Sequence, residues 1–164
     1  MGEASKAEGP DTRVVFELEV KEGWPPVGSE RVWAYRSGED TYVIDNPPWF
    51  VRDLAVGDVV RASSPGASTH PVFTEMLQRS DHVTIRLICF RSGPLQGDLT
   101  RAIEPFKRLG VYAEGANQYG MLALDISPTD PVEEVVRVLR AGAADGSWEF
   151  EEGRITQAWI DATA

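Results

Sequence analysis

From Arg13 the chain alternates. Val14, Phe16, Leu18 and Val20 take one side while Val15, Glu17 and Glu19 take the other, which is the two-residue period of a half-buried strand. The stretch KEGWPPVGSE ends this pattern, because Gly23, Pro25 and Pro26 do not fit inside a sheet ladder. RVWAYR (Arg31 to Arg36) and TYVI (Thr41 to Ile44) then read as a hairpin, turned by Ser37-Gly38-Glu39-Asp40 with Gly38 able to take a positive φ. Asp45-Asn46-Pro47-Pro48 breaks the chain again before the apolar Trp49-Phe50-Val51. LAVGDVVRAS (Leu54 to Ser63) turns at Gly57-Asp58 and continues as a short strand. Pro65 to Pro71 reads as a loop. VFTEMLQ (Val72 to Gln78) and VTIRLICF (Val83 to Phe90) follow as strands joined through Arg79-Ser80-Asp81-His82. Short strands at this spacing, separated by Gly and Pro, predict a small, strongly curved sheet or barrel.

After Phe90 the period lengthens. Leu99, Ala102, Ile103, Phe106 and Leu109 recur at helical spacing, with Asp98 placed as N-cap and Gly110 just past the end. Pro105 inside this helix predicts a kink or a late start. Val111 to Glu114 and Met121 to Ile126 read as strands around the turn Gly115-Ala116-Asn117-Gln118. Asp130-Pro131-Val132-Glu133 has the form of a helix start: a capping aspartate, then proline, then glutamate at the third position. Val132, Val135, Val136 and Leu139 form the buried stripe and Gly142 the end, and Trp148 to Glu151 alternates as a last strand. The back half is therefore β-α-β-β-α-β, the ferredoxin-like order. The fold class is α+β: a loose polar tail over residues 1–12, a β-rich, barrel-like domain over 13–82, and a ferredoxin-like domain over 83–164.

Composition narrows the function. A chain of 164 residues can bury a core without covalent staples. Its 26 acidic against 16 basic side chains, a formal charge of -10, repel phosphate backbones, and the nearest basic patch is only Lys107-Arg108. Nucleic acid is not an expected partner. No charged-then-apolar leader and no apolar run near membrane-spanning length occurs, so the expectation is a cytoplasmic protein without membrane contact. Cys89 is the single cysteine and sits in an apolar run, where a thiol packs as a small hydrophobe.

Local chemistry is sparse. His70 and His82 are the only histidines, and no pair of soft ligands has metal-binding spacing, so neither metal nor cofactor is expected. Phosphate-loop signatures are absent. Ser80-Asp81-His82 holds the residue types of nucleophilic catalysis, but adjacent side chains cannot line up as a relay, and a turn is the simpler reading. No catalytic residues are assigned. If the protein is an enzyme, His82, Glu30 and Asp58 are the acid–base candidates, His82 because its ordinary pKa lies near neutrality. The acidic pairs Glu133-Glu134 and Glu151-Glu152 fit a helix's first turn and a solvated edge strand.

The aromatic residues stand apart. Trp24, Trp33, Tyr35, Tyr42, Trp49 and Phe50 lie in one stretch, bracketed by Trp24-Pro25-Pro26 and Asn46-Pro47-Pro48. Rings on proline-containing loops make large contact surfaces of low entropy, with polar anchors beside them. Strand positions equally suit Trp33 and Tyr42 to a barrel interior. The expected binding set is Trp24, Glu30, Trp33, Asn46, Trp49, Phe50 and Arg86.

GWPPVGSERVW (Gly23 to Trp33), YVIDNPPWFV (Tyr42 to Val51), GDVV (Gly57 to Val60), LGVYAEG (Leu109 to Gly115) and WEFEEG (Trp148 to Gly153), in this order, resemble the bacterial DUF4265 family. The resemblance covers nearly the whole ordered chain and implies bacterial origin and a shared architecture, without an activity. Two functions compete on these grounds. One is a non-enzymatic binding or regulatory protein, of immunity or ribonuclease-regulating type, meeting another protein or a small ligand through its acidic surface and aromatic loops. The other is a small enzyme or tailoring protein holding a small molecule or peptide between the two halves, with Arg86 as an anchoring group.

Overall fold

The alternation that begins at Val14 becomes a strand in a computed structural model that describes residues 10–66 and 70–164. The expected tail falls, through residue 9, outside the described residues, as do residues 67–69 of the Pro65 to Pro71 loop. The chain divides into two units, the first ending at Ser80 and the second spanning Asp81–Ala164.

In the first unit β1 (Thr12–Glu17), β2 (Ser29–Arg36), β3 (Thr41–Ile44), β4 (Val59–Ser63) and β5 (Val72–Gln78) form a closed barrel in chain order. Successive strands pair antiparallel. Closure is parallel, at Val15 opposite Val72, where the Val15 N–H donates to the Pro71 carbonyl at 2.8 Å. Register shifts in the β4–β5 ladder, at Val59/Val60 and Arg61/Ala62, supply the bend that so small a barrel needs. Val14, Phe16, Val32, Ala34, Tyr42, Ile44, Val60 and Ala62 fill the interior, joined by Val51 and Leu54 from the connection between β3 and β4.

The second unit runs β6 (Val83–Cys89), α1 (Leu99–Arg108), β7 (Tyr112–Ala116), a 3-10 turn (Asn117–Tyr119), β8 (Met121–Ile126), α2 (Val132–Asp145), β9 (Trp148–Arg154) and α3 (Gln157–Thr163). Its antiparallel sheet has the order β7-β8-β6-β9, the ferredoxin-like arrangement. Val83, Ile85, Leu87 and Cys89 of β6 and Leu122, Leu124 and Ile126 of β8 pack with Phe106, Val135, Leu139 and Trp159 of the helices. No helix among the described residues is long and apolar enough to cross a membrane.

Several local expectations change. β1 stops at Glu17, and Val20 is exposed in the connection to β2. Gly38 is not in the left-handed region. Its role is close approach, since a Cβ there would lie 2.5 Å from Thr41 Oγ1. α1 runs through Pro105 with Asp98 as its cap, the carboxylate accepting from the N–H groups of Thr100 and Arg101. β7 extends to Ala116, so the turn moves to Asn117–Tyr119 and closes on Gly120 at φ +62. Asp130 does not cap α2. Its carboxylate accepts from Ser127 N at 2.8 Å and closes the preceding turn, while Pro131 occupies the cap position. Gly142 does not end α2, which continues to Asp145 and terminates on Gly146 at φ +84. A last helix, α3, follows β9 and is capped by the Thr156 hydroxyl, which accepts from Trp159 N.

Candidate functional site

The site begins with an acid on the wrong side of a strand. Along β2, Glu30, Val32 and Ala34 are buried and Arg31 and Trp33 are exposed, so strand alternation carries a carboxylate into the barrel end. Burying that charge is tolerable only with strong partners. Oε1 of Glu30 accepts from Trp49 N, and Oε2 accepts from Phe50 N at 2.8 Å and Val51 N at 3.0 Å. Just upstream, Asn46 Oδ1 accepts from Trp33 N at 3.0 Å, and Asp45 N donates to the Trp33 carbonyl at 2.9 Å. Pro47 and Pro48 are buried between these anchors. The Asp45–Val51 loop is thus fixed to β2 at both ends, and it presents Trp49 and Phe50 half-buried.

Trp24 meets this loop from the β1–β2 connection. Lys21 and Trp24 exchange backbone hydrogen bonds of 2.9 and 3.0 Å around Glu22 (φ +55) and Gly23 (φ +79). This tight turn brings the Trp24 indole into T-shaped contact with Phe50, with centroids 5.7 Å apart and planes at 83°. The indole is 49% exposed. Trp33, read from its strand position as a core candidate beside Tyr42, lies instead on the outer wall, out of phase with Val32 and Ala34, under the Arg13 guanidinium at 4.2 Å. Tyr42 is in the core. Loss of hydration, reinforced by the hydrogen-bonded Asp45 carboxylate, raises the pKa of Tyr35.

The acid–base candidates have separate surroundings. Asp58 is fully buried, and its carboxylate accepts from Ala55 N at 2.9 Å and Ser80 N at 2.7 Å, tying the loop before β4 to the chain after β5. Ser80 Oγ donates to the Val56 carbonyl at 2.6 Å. In the second unit His82 Nδ1 lies 2.7 Å from Oδ1 of Asp125, a partner 43 residues away. Arg86, buried on the sheet face opposite the helices, donates Nε–H to Glu151 at 2.7 Å, and its guanidinium lies about the position where a side chain at Gly153 would stand. Among the described residues no buried side-chain nitrogen or oxygen lacks a hydrogen-bond partner, and no cluster of three or more His, Cys, Asp or Glu could hold a metal. The geometry joins Trp24, Glu30, Trp49, Phe50, Asn46 and the Trp33 backbone in one barrel-end assembly. His82 and Arg86 belong to the second unit.

Sequence reasoning missed Asp125. Its signal was phase: on β8 it is out of step with Leu122, Leu124 and Ile126 and so faces away from the helices.

Among solved structures the chain is similar to "Novel crystal structure of a hypothetical protein from Neisseria gonorrhoeae", with TM-score 0.67 and 16% identity, covering 88% of this chain and 94% of that one. At that identity the likeness is one of fold. No curated protein matches the chain. A family model described as "Domain of unknown function (DUF4265)" matches residues 30–150, a span that opens on the buried acid of β2 and includes the Asp45–Val51 loop.

Proposed function

We propose that this chain, which belongs to the DUF4265 family, is a non-enzymatic binding and regulatory protein of the bacterial cytoplasm that meets its partner through the aromatic loops of the barrel. The observation that carries this reading is the exposed Trp24 indole, in T-shaped contact with Phe50 on a loop whose backbone is held by the Glu30 carboxylate. Rings held in place lose little entropy on contact, so they make effective anchors for a partner. The formal charge of -10 favours a basic partner surface and speeds the encounter. Affinity capture from host extract at low and moderate salt tests this, using wild type and Trp24→Ala in parallel. A partner recovered by wild type and lost with Trp24→Ala supports the reading. Recovery of the same proteins by both, or of none reproducibly, overturns it.

The enzyme reading is favoured by one observation, the His82–Asp125 hydrogen bond, because a carboxylate that orients an imidazole is half of a proton-transfer device. Complementation of a gene deletion separates the two. If His82→Gln fails to restore the host phenotype and Trp24→Ala restores it, the enzyme reading replaces the binding one.

A further inference from the structure

We infer that the segment met at the barrel's aromatic loop presents an arginine side chain, which stacks on the Trp24 indole; this rests on the binding reading above and specifies its occupant. An indole ring carries negative charge density on its faces and attracts a cation within about 6 Å of its centroid, more strongly than any other side-chain ring. Trp24 keeps half its surface exposed, and Phe50 at 83° sets the plane of its ring.

The barrel already makes this pairing within itself. Arg13 and Trp33 are opposite one another across β1 and β2, and the guanidinium lies 4.2 Å from the ring centroid. Trp33 therefore has its cation, supplied in cis, and the Arg13–Trp33 contact is the pattern for what a partner brings to Trp24.

Charge agrees. Glu17, Glu19 and Glu22 are all exposed in the end of β1 and the turn that carries Trp24. The lysine among them, Lys21, is paired with Glu19 at 3.5 Å. Such surroundings draw in a cation and repel a carboxylate or phosphate. Arginine suits the ring better than lysine, because a planar guanidinium stacks on an aromatic face and sheds its water more readily than an ammonium. The occupant is an arginine-bearing segment of a partner protein.

The probe is an unstructured peptide of alternating glycine and arginine, compared with the same peptide carrying citrulline, which keeps the shape and removes the charge. Each is titrated into nitrogen-15-labelled protein while the indole N–H signals are followed, that of Trp24 being identified by its loss in Trp24→Phe. The arginine peptide is expected to shift the Trp24 signal and the citrulline peptide to leave it in place. Trp24→Ala is expected to weaken the peptide about tenfold and Trp24→Phe less, in keeping with the strength of cation–ring contacts. Replacing Glu17, Glu19 and Glu22 by glutamine should weaken binding and flatten its salt dependence. An unchanged signal of Trp33, on the outer wall with Arg13, reports that the barrel of each variant is intact. A Trp24 signal unmoved at millimolar arginine peptide, equal binding of the citrulline peptide, or undiminished binding by both Trp24 variants overturns the inference. If the arginine peptide fails while capture from extract still depends on Trp24, the binding reading stands and only the identity of its occupant falls.

Discussion

The backbone N–H of Phe50 donates at 2.8 Å to Oε2 of Glu30, a carboxylate buried at the end of the barrel. That bond and its neighbours from Trp49 and Val51 are what hold the aromatic loop in one geometry. Glu30→Gln keeps the shape, but it turns an amide NH2 toward backbone donors and leaves at least one of them without an acceptor. Losing charge-assisted bonds and stranding a buried N–H should together cost about 3 kcal/mol. Urea denaturation measures it. A loss under about 0.5 kcal/mol would mean that the prolines and the Asp45 and Asn46 bonds to Trp33 hold the loop without the carboxylate.

Gly142 lies against the Trp148 indole in the second unit. A Cβ built at Gly142 would stand 2.1 Å from Cε2 and 2.2 Å from Cζ2 of that ring. Trp148 cannot step aside freely, because its Nε1–H donates to the Leu139 carbonyl at 3.0 Å. In an open helix, alanine for glycine would stabilise by up to about 1 kcal/mol. Here overpacking should reverse the sign and destabilise by about 2 kcal/mol. The check is a lower denaturation midpoint at unchanged slope.

The same glycine shows what sequence patterns convey and what they leave out. Strand and helix types were legible because each element buries one face, so its apolar period announces it, and Gly and Pro punctuate the gaps. The ferredoxin-like order followed from those periods. Gly142 misled because helix-ending glycine and ring-accommodating glycine look alike without the partner, here Trp148. Asp130 misled likewise: an aspartate before proline can cap a helix or close the turn ahead of it, and Ser127 decides which. The aromatic loop was legible as a group from its prolines, and the outward setting of Trp33 could have been read from Val32 and Ala34 on either side of it. The His82–Asp125 contact had no local signature, since sheet pairing creates it.

Cys89 supplies a pH test. It is 4% exposed on the helix-covered face of β6, and burial pushes its thiol pKa up. The unfolded thiol loses its proton near the ordinary value while the folded one holds it to higher pH, so over that window the folded state binds more protons and stability falls as pH rises. The contribution is fully present below the ordinary thiol value and is lost as pH rises through the folded value. Tyr35, also raised, acts in the same direction at higher pH. Cys89→Ala should lower stability at neutral pH through the cavity it leaves. The loss of stability with rising alkalinity should nevertheless be shallower than in wild type. Urea midpoints from pH 7 upward give both curves, and parallel curves would refute the assignment.

Asp53 sits at φ +59 and forks onto Arg79, with Oδ1 2.6 Å from Nη1 and Oδ2 2.5 Å from Nη2. The Asp53 hydrogen bond raises the pKa of the Arg79 guanidinium. Both side chains are about half exposed, so the pair contributes at most about 1 kcal/mol. Left-handed backbone costs a residue other than glycine, asparagine or aspartate about 1 kcal/mol. Two variants separate these effects. Asp53→Gly loses the ion pair without adding backbone strain, whereas Asp53→Ala loses the pair and adds strain. The order of stability should be wild type, then glycine, then alanine, with alanine about 1 kcal/mol below glycine. Added salt should shrink the gap between wild type and Asp53→Gly, because an exposed pair is screened. It should leave the gap between the glycine and alanine variants unchanged, because backbone strain has no charge to screen. An alanine variant as stable as the glycine one would show that the loop relaxes out of the left-handed region once the carboxylate is gone.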